Sequence, residues 1–276
     1  MNATGDALLS CVWATARTPA PSEWSMCTYP GPLDKYVSRA VQATGCWLEC
    51  DDVTWMQRLL RSTTSPLLID VGGNIGFYTL AAAAAGSAVA VFEPHPVNAL
   101  HLLSSVRRNS FRSVQLHTLC VSDAVAPCTL GEHKTNQGAL KHSTAEAISA
   151  LAPEAAKYRT MAVPLDAVLP PPRRPTFLKV DIEGDECKAF RGMTRLLNAS
   201  AGTFVGALIE FDKIHCCEEL VSPNGAFWVL QQRHGLCAYV ARVARPAQTT
   251  PTPLASLCSI RRNGRQINLR WQRCDG

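Results

Sequence analysis

One short run, residues 67–76, constrains the fold of this chain more than any other part of its sequence. It reads Leu-Leu-Ile-Asp-Val-Gly-Gly-Asn-Ile-Gly, so an apolar strand delivers an acid, Asp70, and leads directly into a glycine-rich loop. A helix of small and apolar residues is predicted to follow over 76–85. A strand, a glycine-rich turn and a helix in this order are typical of an α/β sheet that brings its backbone against a nucleotide-like ligand.

A second strand, 88–92, ends in Glu93, which lies 23 positions after Asp70. An acid at about this distance accepts hydrogen bonds from the hydroxyl groups of a bound ribose. The spacing therefore indicates an adenosine-containing ligand. The alternative, an ordinary strand-to-helix turn capped by Asp70, leaves the position of Glu93 unexplained.

The charge of Asp70 discriminates between two ligands. A dinucleotide site normally shows Gly-x-Gly-x-x-Gly and holds a pyrophosphate at the helix N-terminus. Asn74 occupies the position of the second glycine, and Asp70 would repel a pyrophosphate. S-adenosylmethionine carries a sulfonium and an ammonium group instead of phosphates, so the pattern favours it over NAD as the cofactor.

Acids also end a third predicted strand, in the run Phe-Leu-Lys-Val-Asp-Ile-Glu-Gly-Asp-Glu at 177–186. Because the carboxyl ends of parallel strands meet at one edge of a sheet, Asp181 and Glu183 are expected to face the same crevice as Asp70 and Glu93. They could bind the methionine amine of the cofactor, or accept the proton of an acceptor hydroxyl. The last two acids of the run are equally suited to capping the next helix.

Strands and helices alternate from residue 67 onward, which predicts a parallel sheet with helices on both faces. Strands are predicted at 67–71, 88–92, 114–119, 176–180 and 204–211, and helices at 76–85, 96–109, 185–198 and 224–234. A C-terminal strand at 237–243 and a hairpin of 256–262 with 265–271, turning at Asn263-Gly264, complete the sheet. The expected fold is a doubly wound, mostly parallel, seven-stranded Rossmann-like α/β sheet with an antiparallel C-terminal hairpin.

The N-terminal part is predicted to form a separate extension, 1–65, before a domain at 66–276. Residues 1–33 are rich in Pro, Ser and Thr and are expected to be irregular. Helices are predicted at 34–45 and 51–62, where they could cover the ligand site or a sheet edge. Residues 132–160 are expected to form a loop with one short helix.

Composition narrows the class of partner. An apolar fraction of 47% over 276 residues supports a well-filled core, and the net charge of +5 comes without a basic stripe interleaved with aromatic residues, so nucleic acid is not implied. No apolar run reaches the ~18 residues that span a bilayer. No signal peptide is visible in residues 1–18.

The chain has twelve cysteines and no Cys-x-x-Cys pair, which argues against a zinc site. Cys120, Cys237 and Cys258 lie in apolar stretches, as buried thiols do. We interpret most cysteines as free thiols in the cytoplasm. The alternative is a disulfide within the N-terminal region and a location in the secretory lumen behind an upstream anchor. Asn2-Ala3-Thr4 and Asn198-Ala199-Ser200 fit the N-glycosylation pattern, which requires that secretory context.

Four blocks of sequence together resemble the FkbM family of S-adenosylmethionine-dependent methyltransferases. They are Asp70–Thr79, Phe92–Pro96, Leu178–Gly184 and Leu208–Glu210. Their order and spacing agree with the family over about 66–212. Gly73 replaces a common alanine, and His95 replaces a common asparagine. Ser122 and Asp123 match the family segment near the adenine, and Asn136-Gln137-Gly138 resembles a family loop near the cofactor or acceptor.

The resemblance implies a class I methyltransferase that acts on a hydroxyl of a sugar, another small molecule or a glycan acceptor, without a metal. The cofactor supplies the electrophile, so the protein must position the acceptor and assist loss of its proton. Candidate catalytic residues are Asp181, Glu183 and Glu210, with His215 in the loop that follows. Candidate cofactor-binding residues are Asp70, Gly72, Gly73, Asn74, Gly76, Phe77, Glu93, Pro94, Ser122, Asp123 and Asp181.

Two other classes of function remain open at this point. One is an NAD-dependent oxidoreductase on a similar sheet, although no Ser/Tyr/Lys catalytic set is recognisable. The other is a non-catalytic binding module that retains the cofactor fold. The complete set of loop glycines and strand-end acids favours an enzyme over such a module.

Overall fold

The computed structural model describes residues 10–19, 22–131, 142–143, 156–211, 214–242, 247–260 and 266–274. The strands are β1 Val12–Thr18, β2 Ser22–Thr28, β3 Leu67–Val71, β4 Ala88–Phe92, β5 Val114–His117, β6 Cys120–Val121, β7 Ala126–Gly131, β8 His142–Ser143, β9 Ala156–Val163, β10 Thr176–Val180, β11 Phe204–Glu210, β12 Leu236–Arg242 and β13 Ile267–Arg273. The helices are α1 Val37–Thr44, α2 Cys50–Arg61, α3 Phe77–Ala84, α4 Pro96–Arg108, α5 Leu165–Val168, α6 Glu186–Arg191, α7 Thr194–Leu197, α8 Cys217–Val221, α9 Ala226–Gln232 and α10 Leu254–Leu257.

A seven-stranded sheet forms the centre, in the order β12-β13-β11-β10-β3-β4-β5. The strands from β11 to β5 run parallel, and β13 is antiparallel to both β11 and β12. The predicted Rossmann-like class is therefore confirmed. Its central strands are buried on both faces, which is why they read as continuous apolar runs in the sequence.

Alternate residues of the sheet supply two separate cores. Leu68 and Val91 face the core that the N-terminal part and α3 complete, whereas Ile69 and Leu178 face the core that α6 and the later helices cover. Because the side chains of a strand alternate between faces, this division follows directly from the strand register. Among the helices of the described ranges, none is long and apolar enough to cross a bilayer.

The N-terminal part is more regular than its composition suggests. The described residues that were expected to be irregular form an antiparallel β1–β2 pair, so that prediction was wrong. Trp24 and Met26 alternate inward along β2, and the Trp24 ring packs 5.6 Å from the ring of Phe77 in α3. The two predicted helices correspond to α1 and α2. The domain boundary after residue 65 stays a prediction, since α2 packs directly on α3.

The predicted C-terminal hairpin was also wrong in its pairing. Leu254–Leu257 forms a short helix, and β13 pairs with β12 and β11 instead of a strand at 256–262. Asn263-Gly264 lies outside the described residues. The antiparallel partner of β13 is distant in sequence, so turn signals next to β13 gave no information about it.

Helix 185–198 is interrupted, and the crossover before it contains strands that were not predicted. Helices α6 and α7 separate at Gly192, where a Cβ would lie 1.9 Å from the carbonyl oxygen of Ser122. A four-stranded sheet in the order β6-β9-β7-β8 occupies part of the crossover between β5 and β10. Residues 132–141 and 144–155, and with them Asn136-Gln137-Gly138, lie outside the described residues.

All twelve cysteines form disulfides, which overturns the interpretation of mostly free thiols. Packing brings most of the partners together, because only Cys46–Cys50 and Cys120–Cys128 lie within eight residues of each other. Cys237 and Cys274, for example, are 37 residues apart and meet at adjoining ends of β12 and β13. The pairs are Cys11–Cys27, Cys46–Cys50, Cys120–Cys128, Cys187–Cys216, Cys217–Cys258 and Cys237–Cys274.

Candidate active site

The glycine loop after β3 is anchored on the end of β4. The amide groups of Gly72 and Gly73 both donate to the carbonyl oxygen of Phe92, each at 3.0 Å. Asn74 has a positive φ of 50°, and its side-chain oxygen accepts a hydrogen bond of 2.7 Å from the amide of Ile75. These bonds fix the loop at the carboxyl edge of the sheet, immediately before α3.

Gly72 is required because another segment approaches its backbone. Its φ is +91°, and a Cβ at this position would lie 1.8 Å from the carbonyl oxygen of Asp181. Close packing of two strand ends therefore explains the glycine at this position. The loop after β3 and the loop after β10 are therefore in direct contact.

Replacing Gly72 by alanine is expected to lower the free energy of unfolding by at least about 3 kcal/mol, since the added atom forces the two loops apart. Gly86 provides the matched control, because its φ is +86° but a Cβ there meets nothing within 4 Å. G86A should cost only about 1 kcal/mol of backbone strain. Chemical denaturation of both variants tests this, and equal losses would contradict the packing argument.

Glu93 ties the loop to the start of α4. Its Oε2 accepts a hydrogen bond of 2.7 Å from the amide of Asn74, and its Oε1 accepts from the amide of His95 at 2.9 Å and from Nδ2 of Asn98 at 3.4 Å. Burial raises the pKa of Glu93 to about 7, although these donors oppose the shift. The sequence predicted a ribose ligand for Glu93 and did not predict this loop-anchoring role.

Lys179 lies between the two acids that were predicted to meet. Its Nζ donates to the carbonyl oxygen of Gly72 at 2.6 Å and lies 3.6 Å from Asp70 Oδ1 and 3.4 Å from Asp181 Oδ2. It also lies 5.4 Å from the centre of the Tyr78 ring. The strand register places Lys179 directly beside Asp70. The buried ammonium of Lys179 thus offsets the repulsion between the carboxylates of Asp70 and Asp181.

The electrostatic state of Lys179 follows from its neighbours. Burial alone would lower the pKa of Lys179, but the negative charges of Asp181, Asp70 and Glu49 outweigh burial and hold it above its ordinary value. Lys179 therefore stays positively charged and offsets part of the negative charge at this edge. In the sequence this lysine is the single cation within a mostly apolar strand, but its contact with the two acids was not predicted.

Asp70 and Asp181 differ in their access to a ligand. Asp70 is fully buried, and its Oδ2 accepts a hydrogen bond of 2.7 Å from Thr79. The Asp181 side chain is 21% exposed at the end of β10. Asp181 is thus the more accessible acid of this pair, and Asp70 contacts Thr79 and Lys179 in the interior.

The loop that carries Glu183 is organised by the next acid along the chain. Glu186 is buried, and its Oε1 accepts from the amide groups of Ile182 at 3.0 Å and Gly184 at 3.2 Å. Glu183 takes a positive φ of 63° at the tip and is partly exposed. Asp185 forms an ion pair of 3.0 Å with Lys188 and makes no side-chain cap.

Glu49 is a further acid at this edge, and it comes from the N-terminal part. Tyr78 donates its hydroxyl to Oε2 at 2.7 Å, while Gln266 and Asn268 donate to Oε1 at 2.8 Å and 3.1 Å. Asn268 lies opposite Glu210 in the β11–β13 pairing, so Glu49 reaches the carboxyl end of β11. No local pattern in the sequence indicated Glu49, because its partners lie up to 219 residues away.

The environment of Glu49 shifts its titration. Burial raises the pKa of Glu49 to about 8, and repulsion from Asp181 and Asp52 adds to the effect, against hydrogen bonds from Tyr78 and Asn268. The folded state therefore binds a proton at Glu49 that the unfolded chain, with a carboxyl pKa of 4.5, releases. The stabilising contribution is complete below the unfolded pKa and is lost as the pH rises through the folded value.

We accordingly expect Glu49 to contribute up to about 4 kcal/mol to the fall in the free energy of unfolding as the pH rises from about 5 to 9. The E49Q variant should lose this share, because an amide does not titrate, whereas the share of Glu93, whose pKa burial also raises, should persist. Asp51, exposed in the helix that begins directly after Glu49, gives the control D51N, which should keep the wild-type slope. Denaturant titrations at several pH values test this, and an unchanged slope in E49Q would contradict it.

The other predicted site residues lie in different surroundings. The Phe77 ring is buried against Trp24 and Trp47. Ser122 and Asp123 lie beside α6, with Asp123 Oδ2 3.9 Å from Arg191. Pro94 is buried directly after Glu93, and Gly76 has a φ of 99° just before α3. Glu210 is buried at the end of β11, whereas His215 is exposed.

The geometry fits S-adenosylmethionine. Glu93 accepts three hydrogen bonds from the protein, and a carboxylate offers about four acceptor positions, so one position stays available to a ribose hydroxyl. Asp70 Oδ1 has no hydrogen-bond donor within the described ranges, and Asp181 is open to a ligand. This negative edge suits a sulfonium and an ammonium group and disfavours the pyrophosphate of NAD.

The sheet order, the glycine loop and the strand-end acids define a class I S-adenosylmethionine-dependent methyltransferase. The Methyltransferase FkbM domain family matches residues 70–219, and the chain belongs to that family. The FkbM resemblance of the sequence is thereby confirmed, as are the enzyme class and the cofactor.

Solved structures of other methyltransferases are similar to this chain. Precorrin-6y C5,15-methyltransferase from Geobacter metallireducens is 14% identical, with 90% of this chain and 95% of that chain covered and a TM-score of 0.42. An S-adenosylmethionine-dependent methyltransferase from Agrobacterium tumefaciens is 9% identical, with 95% of this chain and 71% of that chain covered and a TM-score of 0.45. An O-methyltransferase from Bacillus cereus is 12% identical, with 80% of each chain covered and a TM-score of 0.37. No curated protein matches the chain.

Proposed function

We propose that this methyltransferase transfers a methyl group to a hydroxyl oxygen of a sugar, a glycan or another small molecule. The main support for this proposal is the partly exposed carboxylate of Asp181 at the end of β10, which lies 3.4 Å from the buried ammonium of Lys179. A hydroxyl acceptor must lose its proton during transfer, and a carboxylate at this edge can take it.

The proposed cofactor site consists of the β3 loop and the neighbouring strand ends. Glu93 would accept the ribose hydroxyl groups and Asp70 would supply negative charge for the cationic part of the cofactor, while Asp181 lies where it could contact either that part or the acceptor. The loop backbone, Pro94, Phe77, Ser122 and Asp123 complete the proposed set. Bound S-adenosylmethionine supplies the electrophilic methyl group.

The proposed binding region for the methyl acceptor lies at the carboxyl ends of β10 and β11. Asp181 is the first candidate for the proton acceptor, and Glu183 and Glu210 are the next. Glu49 joins this list because its carboxylate lies at the same end of β11. The acceptor is held here against residues of both the N-terminal part and β13.

The direct test has two stages. Calorimetric titration with S-adenosylhomocysteine should show micromolar binding, and NAD at the same concentrations should show none. Transfer of labelled methyl groups is then measured on sugars, glycans and small alcohols, with matched amines as competitors. O-methylated products support the proposal, whereas N-methylated products alone would overturn the choice of acceptor and leave the enzyme class intact.

We also infer that the chain matures in an oxidising compartment. Six disulfides that use every cysteine are typical of secreted and lumenal proteins and are rare in the cytosol. Several of them join distant elements, as Cys217–Cys258 joins α8 to the residue after α10. This replaces the cytoplasmic expectation with a lumenal or extracellular one.

Thiol titration tests this inference. Chain purified from an oxidising host should show no reactive thiol after denaturation without reductant, because each cysteine is paired. Reduction should destabilise the fold strongly, since one native disulfide typically contributes about 2–4 kcal/mol. Folded, cofactor-binding protein that carries twelve free thiols would contradict the inference.

A further inference from the structure

The sequence Asn198-Ala199-Ser200 fits the N-glycosylation pattern and lies in the described part of the chain. Asn198 follows the last residue of α7, and both Asn198 and Ser200 are exposed, whereas Ala199 between them is buried at 4% exposure. The residue between asparagine and serine is not proline, as the pattern requires. The acceptor amide therefore lies on the surface at the end of a helix.

The side chain of Asn198 is held in an orientation that tolerates modification. Its Nδ2 donates to the carbonyl oxygen of Thr194 at 2.9 Å. When a glycan is attached, Nδ2 loses one of its two hydrogens and keeps the other. The hydrogen bond to Thr194 is therefore compatible with both the free and the glycosylated asparagine.

The turn after Asn198 is fixed to the rest of the fold. Arg233 Nε donates to the carbonyl oxygen of Ala199 at 2.6 Å, and His234 Nε2 lies 2.8 Å from that of Leu197. Arg273 donates to the carbonyl oxygen of Gly202 at 3.1 Å. These contacts hold Asn198 at the surface on a rigid support.

Asn198 lies at the edge of the sheet opposite the candidate active site. The turn leads into Phe204, the first residue of β11, and thus lies at the amino edge. Asp181 and Glu210 lie at the carboxyl edge. A bulky glycan at Asn198 would leave the cofactor and acceptor region open.

We propose that Asn198 is an N-glycosylation site of this chain. The six disulfides supply the second observation, because the oxidising lumen in which they form is where eukaryotic cells attach N-glycans. The donor is a lipid-linked oligosaccharide pyrophosphate. The bond between its anomeric carbon and the phosphate oxygen breaks, a bond from that carbon to Nδ2 forms, and Nδ2 releases one proton while the lipid pyrophosphate leaves.

The test expresses the full chain behind a cleavable signal peptide in a eukaryotic secretion host. Peptide mapping before and after enzymatic deglycosylation should show Asn198 carrying a glycan and its conversion to aspartate on release. The variants N198Q and S200A should both lose this modification. S200A is the sharper variant, since it keeps Asn198 and its bond to Thr194, and N2Q excludes a contribution from Asn2.

Mapping covers both the secreted and the intracellular lumenal protein, so poor secretion of a variant still gives a result. Unmodified Asn198 in wild-type chain with its six disulfides formed would overturn the proposal. Deglycosylated protein should bind S-adenosylhomocysteine within about twofold of the glycosylated form, because the two sites lie at opposite edges. A larger loss would contradict the placement of the glycan away from the cofactor.

Discussion

The E93Q variant is expected to bind S-adenosylhomocysteine roughly 100-fold more weakly than the wild type. The two oxygens of Glu93 accept hydrogen bonds from the amide groups of Asn74 and His95 on different sides. A glutamine presents one oxygen and one amino group, so one of these buried amide groups would face another donor. Leaving such a group unpaired costs about 1–3 kcal/mol of folding stability and displaces the loop that holds the cofactor, and loss of the ribose contact lowers the affinity directly.

Calorimetry of E93Q measures this loss, with thermal unfolding recorded to show that the fold persists. Glu218, which is exposed on α8, provides the control E218Q, whose affinity should equal that of the wild type. Because burial raises the pKa of Glu93 to about 7, wild-type affinity should increase as the pH rises through that value and the carboxylate forms. Wild-type affinity in E93Q would remove Glu93 from the cofactor site.

The parts of the fold that the sequence predicted well are those with local signals. Strands 67–71, 88–92 and 176–180 were predicted at their observed bounds, because each is a short, mostly apolar run followed by a turn or an acid. The meeting of Asp70 with Asp181 followed from one rule about parallel strands. These features depend on neighbours in sequence or on the general geometry of an α/β sheet.

The features that were missed depend on contacts between distant segments. The pairing of β13 with β12, the long-range disulfides such as Cys217–Cys258 and the hydrogen bonds of Glu49 all join residues that no periodicity connects. Lys179 is an intermediate case. A lysine within a buried strand signals a nearby acid, and the register that places it beside Asp70 could be derived once the strand order is known.

Two acids with similar positions at the strand ends differ in burial. Asp70 is enclosed by Thr79 and Lys179, whereas Asp181 shares Lys179 but keeps part of its carboxylate exposed. Sequence reasoning treated both as facing the ligand. Because Asp181 is the more exposed of the two acids, its replacement is the variant that tests the proposed catalytic role.

The D181N variant is expected to lower kcat by about 10²–10⁴-fold while changing the affinity for S-adenosylhomocysteine by less than about threefold. Asparagine keeps the size of the side chain but cannot accept the acceptor proton. The control is D185N, because Asp185 lies on the same loop and pairs with Lys188 at its surface. Kinetics with a saturating acceptor and calorimetry on the same preparations provide the two readouts.

The two readouts separate the two roles proposed for Asp181. A carboxylate that mainly binds the ammonium group of the cofactor would, on replacement, weaken S-adenosylhomocysteine binding and leave kcat at saturation close to the wild type. Replacing a carboxylate that takes the acceptor proton would instead lower kcat and leave S-adenosylhomocysteine binding close to the wild type. Because Lys179 retains Asp70 as a partner in D181N, the buried ammonium stays compensated, so a selective loss of kcat identifies proton transfer rather than collapse of the charge cluster.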